Sequence, residues 1–475
     1  MSDFKQLYYL KFKLNPTPTQ AALVTQLEFF TYSENKNCLF ILRGYAGTGK
    51  TSILGAFVKT LDDLKFKTKL LAPTGRAAKI LSLNSKKQAF TIHKHIYRQK
   101  NKSDVYNSLE LTKNLHRNTI FIVDEASMIG EYSNDSKGNI SERNLLSDLI
   151  EYVFSGEKCK LILLGDEGQL PPVGSTISPA LDKDFLTHHF IGLTVSEFQL
   201  TEVLRQEQSS LILENATSLR NSDKINFPQL ILDERKDFQN IEGDELQEKI
   251  EQSISQYGEE EVIIITRSNK NANLYNQQFR SRILWFEEEL SNNDLLINVK
   301  NNYFWLDEAS SAGFIANGEI LKVKRVLKRE LLYGFEFIRV IVELIDYPDI
   351  SELEIIILKE ALETDGASLS RERIKELFFE IEKDYLHEKN KKKRYELILK
   401  NPYFNALQVK FAYAITCHKS QGGQWKTVFI DPGFIPEEQM DENYYRWLYT
   451  AITRAKEQVY LINFSPKYFT SNLTT

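Results

Sequence analysis

Short apolar runs, each the length of one buried strand, punctuate this chain, and stretches of helical spacing follow several of them. Residues 38–42, 119–123 and 161–164 are such runs in the first half, and 53–64 after the first of them is spaced as a helix. In the second half, 261–267 reads as a strand and 269–280 as a helix, with further strands at 411–416, 427–430 and 459–462. Continuous apolar strands alternating with helices indicate parallel sheets covered on both faces. The rhythm changes at about 296–404. There Asn317-Gly318 precedes a short strand from Ile320, 335–344 alternates in part, and 353–358 is another strand, which predicts a small barrel. Residues 371–400 then read as one helix carrying the basic cluster 389–394, KNKKKR. Two stretches lack a strong period: the polar segment 94–118, and 134–144, which reads as a surface loop.

Composition narrows the class only modestly. With 475 residues the chain has room for about three domains on the usual prior. Its net charge of −5 announces no polyanion partner, although a local basic groove would be enough for one. Cys38, Cys159 and Cys417 are far apart, so neither a disulfide framework nor a zinc site is indicated. No apolar run approaches membrane-spanning length and no signal-type apolar core opens the chain, so the expectation is a soluble, cytoplasmic protein with no membrane partner.

The chemistry is concentrated at the ends of the predicted strands. Directly after residues 38–42 comes Gly44-Tyr45-Ala46-Gly47-Thr48-Gly49-Lys50-Thr51-Ser52, a glycine loop opening a helix. Such a loop turns backbone N–H groups around a phosphate chain, and the helix start adds its positive end. Lys50 is then expected on the β- and γ-phosphates and Thr51 on Mg²⁺. The run 119–123 ends in Asp124-Glu125, which places two acids at the carboxyl edge of a buried strand. Asp124 is the candidate Mg²⁺ ligand and Glu125 the candidate base for an attacking water. The run 161–164 leads into GDEGQLPPV, in which Gln169 can reach a γ-phosphate and the two prolines stiffen the adjoining backbone. ATP hydrolysis with Mg²⁺ is the expected chemistry.

The ordered set GYAGTGKT, APTGRAAK, TIH, DEAS, GDEGQLPPVG, LTEVLRQ, AITCHKSQGGQW and YTAITRAK resembles superfamily-one DNA helicases of the RecD-like, Dda-like and Pif-like branch. That resemblance implies two RecA-like parallel-sheet motor domains, a small hairpin insert in the first, and an SH3-like β-barrel with a helix in the second. The expected divisions are 1–205 with its hairpin at about 94–118, then 206–295, the insert 296–404, and 405–475. It implies Arg205 and Arg454 as arginine fingers, Gln20 as a contact to the adenine base, and Gly422 beside the nucleotide. Strand contacts are implied for Pro73, Thr74, Arg76 and His93 in the first motor domain and for Thr416, His418, Lys419 and Ser420 in the second. Phe90 and Tyr97 are candidates to stack bases, and Tyr97 and Tyr106 to wedge strands apart.

The implied function is an ATP-dependent helicase or translocase, moving 5′-to-3′ on single-stranded DNA and at DNA forks. It would act as a monomer, alone or with repair, recombination or replication proteins. Two other readings stay open: the motor subunit of a larger nuclease complex, and a P-loop ATPase with no nucleic-acid partner. One departure stands out. Gln424 occupies a position where many relatives carry a ribose-contacting acid, which leaves nucleotide selectivity open.

Overall fold

The computed structural model describes residues 2–99, 109–130, 144–202, 210–223, 227–233, 237–307 and 310–470. Arg205, Tyr106 and most of the 134–144 loop lie outside the described residues. The first lobe contributes β1 (Cys38–Gly44), β2 (Lys67–Ala72), β3 (Ala89–Thr91), the short antiparallel pair β4 (Tyr97–Gln99) and β5 (Leu109–Leu111), β6 (Thr119–Val123), β7 (Lys160–Gly165) and β8 (Thr194–Leu200). Six of these form one parallel sheet in the order β3-β2-β6-β7-β1-β8. Alternation along β1 shows why its run is continuously apolar: Phe40 and Leu42 enter the core on one face, Leu39 and Ile41 the core on the other. Helices Asp3–Phe12, Pro18–Tyr32 and Lys50–Asp63 cover the first face, and Leu145–Ser155 covers the second.

The second lobe holds β9 (Phe238–Ile241) and β10 (Val262–Thr266). The insert follows with β11 (Leu295–Asn298), β12 (Ile320–Leu332), β13 (Phe335–Leu344), β14 (Leu353–Leu358) and β15 (Val409–Phe411). β16 (Ala414–Thr416), β17 (Trp425–Asp431) and β18 (Ala455–Ile462) complete the lobe. Its sheet, ordered β16-β10-β17-β18-β9, is also parallel throughout. The mixed α/β architecture with two parallel-sheet lobes therefore stands as expected.

The insert is antiparallel, in the order β14-β13-β12-β11-β15. Leu407, just before β15, exchanges backbone hydrogen bonds with Ile356 and Leu358 of β14, so the two edges meet and the sheet closes on itself. Tyr333 and Gly334, both at positive φ, make the tight turn between β12 and β13.

Two expected elements divide. The run 411–416 is not one strand: Phe411 ends β15 of the insert and Ala414 begins β16 of the motor sheet. The turn between them is held by Asn276, whose Oδ1 accepts from the amides of Tyr413 and Ala414. The helix expected over 371–400 is two helices, Arg371–Glu382 and Lys391–Leu399, because Asn390 caps the second by accepting from the Lys392 and Lys393 amides. The basic cluster lies at that break. Lys393 pairs with Glu388 and Arg394 with Glu382, so part of its charge is neutralised within the insert.

The joint between second lobe and insert is a buried ion pair. Arg280 donates twice to Asp294 at 2.8 Å, and Asp294 also accepts from the Tyr413 hydroxyl and the Ser291 amide. Removing one partner strands the other charge in the core. Arg280→Ala is expected to lower stability by roughly 3–5 kcal/mol, measured by urea denaturation of the whole chain; a loss within experimental error would show that the pair carries no such burden.

Candidate nucleotide and nucleic-acid site

The glycine loop forms the expected strand-to-helix turn. Gly47 and Gly49 adopt positive φ of 77° and 84°, and Lys50 begins the helix. The Lys50 ammonium turns back onto the loop, donating to the carbonyls of Gly44 and Tyr45. Thr51 and Ser52 are exposed on the first turn. The sheet order then sets the rest of the site. β7 lies between β1 and β6, so the turn carrying Gln169 is interposed between the glycine loop and the acids Asp124 and Glu125.

Asp124 is half-buried, and desolvation of its carboxyl together with neighbouring Glu125 pushes its pKa up to about 6, against the pull of the Glu125 amide and of Lys50. Glu125 is held at φ 53°, an uncommon conformation for a side chain of its size. The exposed Thr51 hydroxyl and the Asp124 carboxylate are hard oxygen donors of the kind Mg²⁺ accepts when water and phosphate supply the remaining ligands. Among the described residues no group of three His, Cys, Asp or Glu could hold a metal on its own. The Gln169 side chain is buried, and its Oε1 has no hydrogen-bond partner among the described residues.

Gln20 is buried differently from a base-reading group. Its Oε1 accepts from the Thr17 amide in a capping box, and its Nε2 donates to the carbonyl of Thr48 in the glycine loop at 3.1 Å. The amide therefore braces the loop from behind.

Arg454 is 3% exposed and turned into its own lobe, where it donates to the carbonyls of Thr450 and Gly423 and to the Thr453 hydroxyl. The second lobe meets the glycine loop through another residue of the same motif. Tyr449 accepts from the Ala46 amide at 2.9 Å and donates to Asp166 at 2.8 Å. Arg220, also from the second lobe's core region, lies 3.9 Å over the Tyr45 ring. Neither Tyr449 nor Arg220 was singled out by motif reading. The available signal for Tyr449 is its helix, Glu442–Ile452, in which Arg446, Tyr449 and Thr450 present polar groups at i, i+3 and i+4 of a largely buried segment.

The residues implied as strand contacts gather only in part. Thr74, Arg76 and Lys419 line one cavity at the meeting of the three sheets, with Gly318, Gln421 and Trp425 among its other walls. Burial lowers the Lys419 pKa to about 8. Arg76 stacks on Trp425 at 4.0 Å and donates to the Gln424 carbonyl, so its guanidinium is engaged across the lobes. Pro73 is half-buried at the end of this strand edge, and Thr416 lies half-buried at the head of the short helix Cys417–Ser420. Ser420 departs from expectation: it is fully buried and its hydroxyl is bonded to the Cys417 carbonyl. Desolvation pushes half-buried His93 down to about 4, so it offers no cation to a phosphate at neutral pH, and it also lowers the pKa of the exposed His418. Tyr97, a wedge candidate, donates to Asp148 at 2.6 Å and packs on the first-lobe core.

Gly422 sits at φ 72° against Thr74 and Ala77, where a Cβ would come within 3.1 Å of each. It therefore belongs to the seam between lobes. On the other side of the same helix start, the Glu319 carboxylate from the insert lies where a Gly75 side chain would be. Burial raises the Glu319 pKa to about 8.

With this geometry in view, the relatives fall into place. Residues 17–238 match the AAA domain family and residues 411–462 the UvrD-like helicase C-terminal domain family. The uncharacterized protein R530 of Acanthamoeba polyphaga mimivirus is 25% identical, over 91% of this chain and 96% of its own length. The ATP-dependent RecD2 DNA helicase of Deinococcus radiodurans is 23% identical over 89% of this chain and 46% of its own length. The ATP-dependent DNA helicase dda of Enterobacteria phage T4 is 30% identical over 40% of this chain and 39% of its own. The chain thus spans nearly all of the first relative and less than half of the other two. Eight motifs in order, both family matches and these relatives support a superfamily-one helicase similar to the RecD2 and Dda proteins. No helix among the described residues is long and apolar enough to cross a membrane.

The raised pKa of Asp124 has a measurable sign. A carboxyl raised from 3.8 to about 6 stabilises the fold fully below its ordinary value and loses that contribution as pH rises through 6. Asp124→Asn is expected to melt a few degrees above the parent at pH 8 without Mg²⁺ or nucleotide, with the gap narrowing below pH 6 and closing near 4. A gap independent of pH, followed by differential scanning fluorimetry, would contradict the assignment.

Proposed function

We propose that this protein is an ATP-driven motor that moves along single-stranded DNA in the 5′-to-3′ direction and unwinds duplex DNA. The observation carrying this reading is that the glycine loop and the second lobe's YTAITRAK helix are in direct contact through Ala46 and Tyr449. A triphosphate held by Lys50 and Thr51 then lies at a junction whose closure it can alter. In this reading Glu125 takes a proton from the attacking water as the bond to the β-phosphate breaks, leaving ADP and phosphate. Mg²⁺ bound by Thr51 and Asp124 would neutralise phosphate charge. Gln169 contacts the γ-phosphate, and Arg205 and Arg454 stabilise the charge developing on it. Arg454 does so only after giving up the Gly423 and Thr450 carbonyls.

Thr74, Arg76 and Lys419 grip the strand's phosphates in the cavity they share, with Pro73, His93, Thr416 and His418 along its path. The insert, read as SH3-like, stands over this path. The names of the RecD2 and Dda relatives, both ATP-dependent DNA helicases, support the substrate. DNA forks, monomeric action and work with repair or replication proteins belong to the same proposal.

Purified protein is expected to hydrolyse ATP at a rate that single-stranded DNA raises at least tenfold, and Lys50→Ala to remove that hydrolysis by a factor of at least about 10³. A duplex with a 5′ tail should be unwound and one with a 3′ tail left intact. Hydrolysis indifferent to DNA would instead favour an ATPase without a nucleic-acid partner, and unwinding only beside a nuclease would favour a subunit of a larger complex.

A further inference from the structure

The turn after β7 is fastened at every step. Asp166 is 1% exposed, and its Oδ1 accepts from the Gly168 amide at 2.9 Å. Its carbonyl accepts from the Gln169 amide. One residue on, the Leu170 amide donates to the Thr450 hydroxyl at 2.8 Å and the Leu170 carbonyl accepts from Gln421. The direction in which Gln169 points is therefore set by where Asp166 sits. Gln169 itself is 4% exposed and leaves its Oε1 without a partner among the described residues, which is costly unless a ligand completes it.

What fixes Asp166 comes from the other lobe. The Tyr449 hydroxyl donates to the remaining carboxylate oxygen and accepts from the Ala46 amide of the glycine loop. Its ring lies on Gly168 so closely that a Cβ there would be 3.1 Å from it. Burial and Asp166 both hold the phenol pKa well above its ordinary 10, so the hydroxyl keeps the proton it donates. One side chain thus spans three parts of the site: the loop that takes the phosphates, the turn that carries Gln169, and the helix that leads to Arg454.

We propose that Tyr449 is a positioning residue for ATP hydrolysis, aiming Gln169 at the γ-phosphate through the bond from its hydroxyl to Asp166 while tying that turn to the Ala46 amide. The inference rests on the motor reading above. Movement of either lobe relative to the other moves this hydroxyl, and with it the buried carboxylate that orients the turn. Hydrolysis is thereby made conditional on the lobes being in register, because a small misplacement of a reacting-group contact can cost about 10²-fold in rate.

The test is steady-state ATP hydrolysis by the full chain with saturating single-stranded oligonucleotide. Tyr449→Phe removes one oxygen and keeps the ring. It is expected to lower kcat by about 10–100-fold with KM within about twofold of the parent and a melting temperature within a few degrees. If Tyr449 acts through Gln169, the double variant Tyr449→Phe/Gln169→Ala should be no slower than Gln169→Ala alone. Should Tyr449→Phe fail to fold, Asp166→Asn probes the same link, because with Oδ1 kept on the Gly168 amide it sets an amide nitrogen, a donor, where the Tyr449 hydroxyl now donates to a carboxylate oxygen; the same kcat loss is expected.

An unchanged kcat, a loss carried by KM, or losses that multiply in the double variant would each overturn the assignment while leaving a DNA-stimulated parent enzyme, and so the motor reading, intact. A parent protein that hydrolyses no ATP would overturn both.

Discussion

The two lobes meet along a seam made chiefly of hydrogen bonds, and the arrangement of the site depends on it. Arg446 donates to the Thr176 carbonyl, Tyr449 bridges Ala46 and Asp166, Thr450 accepts from Leu170, and Gln421 donates back to the same residue. Two apolar side chains accompany them: Leu170 enters the second lobe's core although its backbone belongs to the first, and Ala46 of the glycine loop packs against the same core. Individual hydrogen bonds of this kind contribute only about 0.5–1.5 kcal/mol net, so a seam built from them can be broken and remade. A merged apolar core could not, because each parting would expose it to water. The phosphate loop is thereby joined to its neighbour by contacts weak enough for a ligand to shift.

The sequence carried the two motor sheets well for a physical reason. Strands buried on both faces must be apolar at every position, so β1, β6, β7 and β10 stand out as unbroken runs whatever surrounds them. The phosphate loop and the acid pair were equally legible, because their residue types follow from the chemistry at strand ends. Assignment of a strand to its sheet was not legible. Residues 411–416 are apolar throughout, yet they feed two sheets. The switch is made by Asn276, over 130 positions earlier, and by Tyr413 stacking on Phe279 at 4.6 Å. Local pattern contains nothing of that partner. The break at Asn390 is the opposite case: a capping residue stood in view inside an apparent helix, and the helical period masked it.

Motif position proved a weaker guide to side-chain direction than to neighbourhood. Arg454 lies in the expected motif and helix end, but the carbonyls of Thr450 and Gly423 hold its guanidinium, and the aromatic residue about one and a half turns earlier faces the phosphate loop. Ser420 was drawn inward for a related reason. A hydroxyl in a short buried helix bonds a carbonyl three residues back more cheaply than it remains unpaired. Sequence identifies which residues share a site. Competition among their polar groups decides which of them faces the ligand.

The same competition explains the position of the insert. Although its residues interrupt the second lobe in sequence, its polar anchors reach the first. Lys79 pairs with Asp346, Lys94 donates to the carbonyls of Ser310 and Ser311, and Glu319 lies against Gly75. All three first-lobe partners belong to the segment 75–96, which follows Thr74 and carries two of the proposed strand contacts, Arg76 and His93. The start of the helix Gly75–Ser85, capped by the Thr74 hydroxyl on the Ala77 amide, carries a positive dipole end, which suits an anion. A carboxylate from the insert and a phosphate from a strand would seek the same place, and only one of them fits over a residue without a Cβ. In the proposed function, a strand phosphate entering beside Thr74 would meet the Glu319 carboxyl group, which burial already favours in its protonated form. The absence of a side chain at position 75 is thus a requirement of this joint between insert and first lobe rather than of the turn.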